Sequence, residues 1–184
     1  AEPIAGVGGT IIPEPEYFPG AYEVIKRYGG LCVADEVQTG VGRTGKFYGI
    51  EHWGVKPDIL TMAKGIGNGI PLAAVVTTRE IAAAMKGKLH FNTYGGNPVS
   101  MAAGLAVLDV VEKEKLVTRS HEIGRRLLER LERIAAKSPY VGDVRGKGLM
   151  IGVELVKDKT TKEPHPEAAM KVLEGCKERG VLIG

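Results

Sequence analysis

Short runs rich in apolar residues recur along the first half of the chain, and each predicts a strand. The first, residues 31–34, leads directly into the acidic residue Asp35, and the second, residues 59–62, ends just before Lys64. A third run covers residues 73–78. In the first run the apolar residues are unbroken rather than alternating, which is typical of a parallel strand that is buried on both faces. The pattern therefore predicts that Asp35 and Lys64 each follow a strand of one sheet.

Apolar residues at helical spacing mark four other stretches of the chain. The predicted helices span residues 17–28, 98–114, 121–136 and 166–179. Within the third of these, an apolar residue recurs every three or four positions from Ile123 to Ile134, which gives the helix one buried face. Residues 141–156 show two extended segments that are separated at Gly146 and Gly148, and residues 181–184 predict a final strand.

This alternation of strands and helices predicts an α/β fold with a mainly parallel sheet. Ligands of such sheets bind at the carboxyl ends of the strands, which is where Asp35 and Lys64 fall. The chemistry of the chain is therefore expected at that edge of the sheet.

The composition narrows the class of protein without identifying it. The chain has 184 residues, of which 43% are hydrophobic and 26% are charged, and these proportions are typical of a folded globular protein. Its 25 basic and 22 acidic residues are interspersed, so the net charge of +3 provides no electrostatic footprint for nucleic acid. No apolar run approaches the ~20 residues that a transmembrane helix needs. We therefore expect neither nucleic acid nor a membrane as a partner.

The chain ends and the cysteines bear on the context of the protein. The chain does not begin with Met, and residues 181–184 resemble a strand cut in mid-course, so we expect a piece of a longer protein. The localisation then stays unknown, with the cytoplasm and the mitochondrial matrix as the alternatives. Cys32 and Cys176 lie far apart in apolar or helical surroundings, which predicts buried free thiols in a reducing compartment.

Two glycine-rich segments resemble phosphate-binding loops but lack the right context. Residues 40–45, Gly-Val-Gly-Arg-Thr-Gly, fit the dinucleotide fingerprint and follow a predicted strand. However, Asp35 and Glu36 precede them and would repel a phosphate, and the following segment is short and aromatic rather than helical. In residues 65–69 the lysine precedes the glycines, which reverses the P-loop order. A nucleotide-binding module remains an alternative hypothesis.

Metal and serine-nucleophile chemistry have little support in the sequence. The histidines are scattered, at His52, His90, His121 and His165. None of them has the spacing of a metal-ligand set, and we expect structural or surface roles and no metal. The three serines, Ser100, Ser120 and Ser138, lack a G-x-S-x-G elbow. Hydrolase chemistry is therefore disfavoured.

The remaining candidates are Asp35, Lys64 and Arg145, the last lying between two strand segments. A lysine at a buried position must be paired or lose its charge, and a neutral amine can form a Schiff base with a carbonyl. Pyridoxal phosphate needs such a lysine for its aldehyde and a carboxylate for its ring nitrogen. From these residues alone a plainer alternative stays open, in which Asp35 caps a loop and Lys64 extends into solvent.

Four ordered blocks resemble the class III (omega-type) pyridoxal-phosphate aminotransferases. Asp-Glu-Val-Gln-Thr-Gly with the following glycines, residues 35–45, is similar to that family's aspartate motif, and residues 62–71 are similar to its lysine motif. Residues 93–98 and 144–149 resemble two later blocks. The resemblance covers essentially the whole chain and implies an enzyme that moves an amino group from an amino acid to a 2-oxo acid.

The resemblance implies a role for each of five residues. Lys64 would form the Schiff base with the cofactor and then act as general acid and base, and Asp35 would bind the pyridine nitrogen. Val37 would pack on one ring face, and Gln38 would donate a hydrogen bond to the phenolic oxygen of the ring. Thr93 would contact the cofactor phosphate in a neighbouring subunit, which implies a homodimer or a dimer of dimers.

The resemblance is closest to the alanine–glyoxylate branch of the family. Arg145 would bind the substrate α-carboxylate through a two-pronged hydrogen bond. Val7 stands where the ornithine and aminobutyrate branches carry a glutamate that neutralises this arginine, so Arg145 is expected to be unblocked. The implied substrates are L-alanine and glyoxylate. Acetylornithine, 4-aminobutyrate or 3-aminoisobutyrate types of the same family are alternatives.

The resemblance also implies the fold and the limits of the chain. Fold type I is expected, with residues 1–115 in the large cofactor-binding domain, and with residues 116–184 forming a connecting helix and the start of a small α+β domain. Family members carry further N-terminal and C-terminal parts, so we expect the 184-residue chain alone to be inactive. A catalytically silent scaffold is disfavoured, since all four motif blocks are present.

Overall fold

The computed structural model describes all 184 residues and contains five α-helices and five β-strands. The helices are α1 (Tyr17–Arg27), α2 (Arg79–Ala83), α3 (Pro98–Lys113), α4 (Leu116–Lys137) and α5 (Pro166–Glu178). The strands are β1 (Val33–Asp35), β2 (Ile59–Met62), β3 (Ala74–Thr77), β4 (Val141–Lys147) and β5 (Met150–Leu155). Two short 3-10 helices cover Gly49–Trp53 and Lys64–Ile66. The architecture is α/β, as the sequence pattern predicts.

The first sheet has the strand order β1-β2-β3, with each strand within two residues of its predicted position. β1 and β2 are parallel, with Asp35 opposite Thr61. β2 and β3 are antiparallel, with Ile59 opposite Thr77, so the expectation of parallel strands is wrong for this pair. Residues 63–73 connect the two strands without an α-helix, and a parallel return would need a longer crossover. The sheet is therefore mixed.

The second sheet is an antiparallel hairpin of β4 and β5. Gly146 lies opposite Ile151, and a register shift interrupts the ladder between Val141 and Asp143. The two extended segments that were predicted for residues 141–156 are confirmed. The hairpin packs against α4. The predicted buried face of α4 is confirmed only in part, since Ile123 and Leu131 are half-buried whereas Leu127 and Ile134 are exposed.

All four predicted helices are present, and the structure differs from the prediction at the start of α4 and in one additional short helix. α4 begins five residues before the predicted start, directly after Lys115, which adopts a left-handed backbone conformation. The short helix α2 was not predicted, and its N-terminus is capped by the Thr78 hydroxyl, which accepts a hydrogen bond from Ile81 N–H. None of the helices is both long and apolar enough to cross a membrane.

The predicted strand at residues 181–184 is absent. These residues have no regular structure, and Val181, Leu182 and Ile183 are exposed. A strand is stable only where another strand supplies hydrogen-bond partners, and neither sheet extends to this segment. The apolar run alone therefore gave a wrong prediction.

The core lies between α1, β1 and the 3-10 helix that starts at Gly49. Its buried cluster contains Ile4, Phe18, Ala34, Ile50 and Trp53. The rings of Phe18 and Trp53 meet edge to face, with centroids 5.1 Å apart, an arrangement that aromatic pairs favour. This packing fixes β1 and the 3-10 helix on either side of the loop that carries the candidate site.

The two cysteines differ in burial. Cys32 is buried, as predicted, and burial raises the pKa of its thiol. Cys176 is only half-buried, because it lies on α5, which has no buried residues. Both thiols are free.

Candidate functional site

A buried carboxylate holds the loop that follows β1. The Glu36 side chain accepts hydrogen bonds from Thr39 Oγ1 at 2.6 Å and from the N–H groups of Gly49 and Ile50, each at 2.8 Å. A carboxylate that is removed from water needs such donors to offset the lost hydration. Glu36 thus binds Thr39 near the beginning of the loop and Gly49 and Ile50 at its end. These hydrogen bonds hold the residues between Thr39 and Gly49 in a defined position. No local pattern in the sequence indicates this role of Glu36, because Gly49 and Ile50 lie 13 and 14 residues away.

Asp35 is the last residue of β1, at the carboxyl end of the strand, as predicted. Its side chain is half-buried, and its Oδ1 accepts a hydrogen bond from Val37 N–H at 3.1 Å. Asp35 therefore does cap the turn, which is the plainer of the two sequence hypotheses. The other carboxylate oxygen, Oδ2, has no hydrogen-bond partner within the chain.

Lys64 begins the 3-10 helix that follows β2 and has a φ of 49°. This left-handed conformation is uncommon in residues other than glycine and often marks tight turns and functional sites. The expectation of a buried lysine is wrong, since the Lys64 side chain is exposed. The reason is that the residue lines an open cavity rather than the core.

The cavity has a volume of about 990 Å³ and brings together three of the predicted site residues. Val37, Gln38 and Lys64 lie on its wall, although the sequence separates the first two from the lysine. Faces of α3, α4 and β5 complete the wall. Asp35, Thr93 and Arg145 do not line it. The volume suits a small-molecule ligand or cofactor.

Thr93 lies in an exposed loop before α3, away from the cavity wall. Its neighbours Leu89, Phe91 and Tyr94 are exposed large apolar residues, with exposed fractions of 100%, 82% and 80%. Contiguous exposed apolar side chains are characteristic of a surface that another protein covers. Thr93 thus lies within an apolar surface of the chain.

Arg145 is engaged by other groups of the chain, so the expectation that it is unblocked is wrong. Its Nε and Nη2 donate to the Gly9 carbonyl at 3.0 and 2.7 Å, and its Nη1 pairs with Asp143 at 2.6 Å and with Glu154 at 2.8 Å. Burial lowers the pKa of Arg145 and the two carboxylates raise it, with a net increase. Binding of a substrate carboxylate by Arg145 stays a prediction, and such a ligand would compete with Asp143 and Glu154.

The glycine-rich segment 40–45 is a packing element between three parts of the structure. The Arg43 carbonyl accepts hydrogen bonds from Ser120 Oγ on α4 at 2.8 Å and from Leu149 N–H in the hairpin turn at 2.9 Å. A side chain at Gly45 would begin 2.9 Å from the Cβ of His121. The glycines of the dinucleotide-like fingerprint therefore allow α4 to approach the loop closely.

His52 stabilises the same segment. Its Nε2 lies 3.1 Å from both the carbonyl and the hydroxyl oxygen of Thr44, which is fully buried. Burial, followed by the charge of Lys147, lowers the pKa of His52. His52 thus has a structural contact, as the sequence analysis expects. No three metal-ligating side chains of the chain form a cluster.

Gln38 is held from the N-terminal segment of the chain. Its Nε2 donates a hydrogen bond to Glu2 Oε2 at 3.2 Å, and the same oxygen accepts Gly6 N–H at 3.0 Å. All three residues are half-buried, and Gln38 and Gly6 line the cavity. No local pattern in the sequence indicates a role for Glu2, because its partner Gln38 lies in another segment of the chain.

Comparison with known proteins places these features in a family context. Residues 1–184 match the aminotransferase class-III family. The chain is 53% identical, over its whole length, to the mitochondrial alanine–glyoxylate aminotransferase 2 homolog 2 of Arabidopsis thaliana, and it covers 38% of that protein. It is 44% identical to the leucine/methionine racemase of Thermococcus litoralis, of which it covers 41%.

Solved structures share the fold. An amine transaminase from an uncultivated Pseudomonas species, in its PLP-bound form, superposes with a TM-score of 0.94 at 44% identity; the match covers all of this chain and 44% of the transaminase. The chain thus spans about two fifths of the length of the relatives that it matches.

Proposed function

Because this chain belongs to the class III aminotransferases, we propose that the whole protein transfers an amino group from an amino acid to a 2-oxo acid with pyridoxal phosphate as its cofactor. The observation that carries this proposal is the position of Lys64, whose side chain lines the same cavity as Val37 and Gln38 at the carboxyl ends of β1 and β2. Ligands of open α/β sheets bind at this edge.

The donor set of the cavity fits pyridoxal phosphate. Lys64 offers an accessible primary amine, Val37 an apolar surface for a ring, and Gln38 an amide that can donate a hydrogen bond. Asp35, at the end of the adjoining strand, has one carboxylate oxygen without a partner in the chain. An amine, an apolar wall and a carboxylate are three of the groups that this cofactor needs from a protein; it also needs donors for its phosphate, for which Thr93 is proposed below.

These residues divide the chemistry among them. Pyridoxal phosphate, when bound, supplies an aldehyde and a ring that accepts electrons from a deprotonated substrate carbon. Lys64 would hold the cofactor through Nζ and, once displaced by the substrate amine, would take a proton from the substrate α-carbon and later return one. Asp35 would keep a proton on the ring nitrogen. Gln38 would donate to the phenolic oxygen, and Val37 would pack against the ring.

We propose L-alanine as amino donor and glyoxylate as acceptor. The amino group passes from alanine, which becomes pyruvate, to glyoxylate, which becomes glycine, so atoms and electrons balance without a further reactant. The support is the resemblance of this chain to the alanine–glyoxylate branch, together with the Arabidopsis relative. Val7, which stands in place of the glutamate of other branches, is 97% exposed and neutralises no charge.

The test is a coupled assay of the purified whole protein with pyridoxal phosphate. We expect equal amounts of pyruvate and glycine from L-alanine and glyoxylate, and no product from Lys64→Ala. The exposed Lys56→Ala variant, which lies outside the cavity wall and the surface around Thr93, serves as a matched control and should be as active as the unchanged protein. Cofactor binding without amino transfer to any 2-oxo acid would contradict the proposed reaction.

The racemase relative defines a second reaction that the assay must distinguish. A racemase and an aminotransferase both remove the α-proton of the amino acid, and they differ in where a proton returns. We therefore include L-alanine without an acceptor and measure D-alanine by chiral chromatography. Accumulation of D-alanine at a rate that exceeds amino transfer would assign racemisation instead.

We also propose that the active protein is a homodimer in which Thr93 of one copy reaches the cavity of the other. Within its own chain, Thr93 does not line the cavity, and it lies among the exposed side chains of Leu89, Phe91 and Tyr94. An apolar surface around a residue that is expected to bind the cofactor is consistent with such an arrangement. Light scattering of the whole protein is expected to give the mass of a dimer or of a dimer of dimers.

A further inference from the structure

Glu2 and Gln38 are joined although 36 residues separate them in sequence. One oxygen of Glu2, Oε2, accepts two hydrogen bonds: from Gln38 Nε2 at 3.2 Å and from Gly6 N–H at 3.0 Å. The bond to Gly6 closes a turn within the N-terminal segment and thereby fixes the carboxylate. The carboxylate is therefore in place to orient a side chain of the cavity wall.

A carboxylate partner determines which end of the Gln38 amide faces it. An ionised carboxylate only accepts hydrogen bonds, whereas an amide has a donor end and an acceptor end that can exchange by rotation. With Glu2 as partner, the NH2 group must face Glu2, and one of its two N–H bonds remains for another acceptor. Gln38 thus keeps a donor at the cavity wall in a single orientation.

The backbone at Gly6 contributes to the same arrangement. A Cβ at this position would lie 2.3 Å from Gln38 Nε2 and 2.7 Å from its Oε1, so any side chain there would displace the amide. Gly6 is not in the left-handed region of φ, and its lack of a side chain is explained by this close approach. Glu2 therefore binds the Gln38 amide, and Gly6 leaves the space in which the amide lies.

We propose that Glu2 is a positioning residue of the site, which holds the Gln38 amide so that its free N–H points to the cofactor bound in the cavity. The inference rests on the proposed function, because it needs pyridoxal phosphate beside Gln38. The acceptor of the hydrogen bond from the free N–H of Gln38 would be the phenolic oxygen of the cofactor. Glu2 itself is expected to touch neither cofactor nor substrate.

The first test needs no cofactor. A double-mutant cycle of Glu2→Ala and Gln38→Ala is measured by thermal unfolding of the whole protein without pyridoxal phosphate. Each single variant is expected to lower the Tm by about 1–3 °C, and the double variant by clearly less than the sum of the two single shifts, since both single variants remove the Glu2–Gln38 hydrogen bond. Additive shifts would contradict the contact.

The second test follows the visible absorption of the bound cofactor as a function of pH. Gln38→Ala removes the donor and is expected to move the midpoint of this titration by about half a pH unit or more. Glu2→Ala and Gly6→Ala should move it in the same direction, by at least half as much. In Glu2→Gln the amide oxygen can occupy the place of Oε2 and accept both bonds, so this variant should stay near the unchanged protein.

The outcomes separate the two proposals. A whole protein that does not take up pyridoxal phosphate would overturn the proposed function. If the protein binds the cofactor and Gln38→Ala shifts the titration while Glu2→Ala does not, only the role of Glu2 is overturned. A Glu2→Gln variant as perturbed as Glu2→Ala would also overturn it. Glu16→Ala, an exposed acid of the same segment, controls for loss of charge and should shift nothing.

Discussion

Gly124, in the middle of α4, lies directly against Gly148 in the turn between β4 and β5: a Cβ at Gly124 would stand 2.0 Å from the Gly148 carbonyl oxygen. Gly148 in turn lies against the loop after β1: a Cβ added to Gly148 would be 2.4 Å from the carbonyl carbon of Thr44. Helix, hairpin turn and loop thus meet backbone to backbone. This junction supports the cavity, because the loop and the hairpin turn that meet there each contribute a residue to the cavity wall, Gln38 and Leu149.

We expect Gly124→Ala to lower the free energy of unfolding by about 2–4 kcal/mol. Alanine favours a helix by roughly 1 kcal/mol over glycine, but here the added methyl group overlaps a backbone that cannot move without separating α4 from the hairpin. Urea unfolding of the whole protein, followed by circular dichroism, measures the change.

Gly20→Ala is the matched control for this experiment. Gly20 also lies inside a helix, α1, and a Cβ there would meet nothing within 4 Å. The substitution is expected to stabilise the protein by about 0.5–1 kcal/mol, since it restricts the unfolded chain. If Gly124→Ala were tolerated as well as Gly20→Ala, the backbone contact at the junction would be refuted.

The elements of the fold could largely be predicted because their signals are local. The run at residues 59–62 and the helical spacing in α3 depend only on neighbouring side chains, and both predictions are confirmed. The direction of β3 and the absence of a strand at residues 181–184 depend on which strand lies alongside. No local pattern contains that information.

In the candidate site, too, local features could be predicted and contacts between distant segments could not. Asp35 and Lys64 could be placed at strand ends from the sequence, since a strand end is a local feature. The partners of Arg145 and Glu36 could not, because they come from segments that only the fold brings together. The exposure of Lys64 likewise depends on the shape of the cavity.

We expect Arg145→Leu to lower the free energy of unfolding by about 1–3 kcal/mol. The substitution removes four hydrogen bonds of a side chain that is only 19% exposed, and it leaves Asp143, Glu154 and the Gly9 carbonyl without their partner. Arg125→Leu on α4 is the control. Arg125 is 62% exposed and makes a single surface ion pair, so its loss should cost less than about 1 kcal/mol.

Two variants together separate two roles of Arg145. If Arg145 only connects the Gly9 loop to the hairpin, Arg145→Leu should lose stability, and the milder Arg145→Lys variant should keep an unchanged KM for alanine. Full stability of Arg145→Leu, together with a KM raised tenfold or more, would instead assign the guanidinium to the substrate carboxylate.

Asp58 makes the stability of the protein dependent on pH. Its carboxylate pairs with Lys26 on α1 and accepts Cys32 N–H at 2.6 Å, and these bonds, first that of Lys26, lower the pKa of Asp58. A lowered pKa stabilises the folded state above the pKa of the unfolded chain, near pH 4, and this contribution is lost as the pH falls through the folded value. Asp58→Asn should therefore cost about 1 kcal/mol at pH 7, and this cost should decrease as the pH falls below about 4.

Urea unfolding at pH 7 and at pH 3 tests this expectation. Asp109→Asn is the control, because Asp109 is 63% exposed and belongs to a surface pair with Lys113. It should change stability by less than about 0.5 kcal/mol at either pH. A difference between Asp58→Asn and the unchanged protein that persists undiminished at pH 3 would show that the Asp58 charge is not responsible.

The 184-residue chain, expressed alone, is expected to give no amino transfer under conditions in which the whole protein is active. Its cavity is open and leaves Lys64 exposed, and the chain spans about two fifths of the length of its relatives. Side-by-side assays at equal molar concentration with excess pyridoxal phosphate measure this. Turnover by the short chain above one tenth of the whole-protein rate would contradict it.

Mixing two inactive variants tests whether Thr93 serves the neighbouring copy. Lys64→Ala removes the amine of the cavity, and Thr93→Asp places a negative charge where the cofactor phosphate is expected. Since Thr93 is exposed, we expect Thr93→Asp to lose activity without unfolding. If Thr93 acts across the dimer, a mixed dimer contains one site with both original residues. Random exchange should then restore roughly a quarter of the original activity. Mixed dimers that are demonstrated by differently tagged copies, yet stay inactive, would place Thr93 in its own chain's site or outside any site.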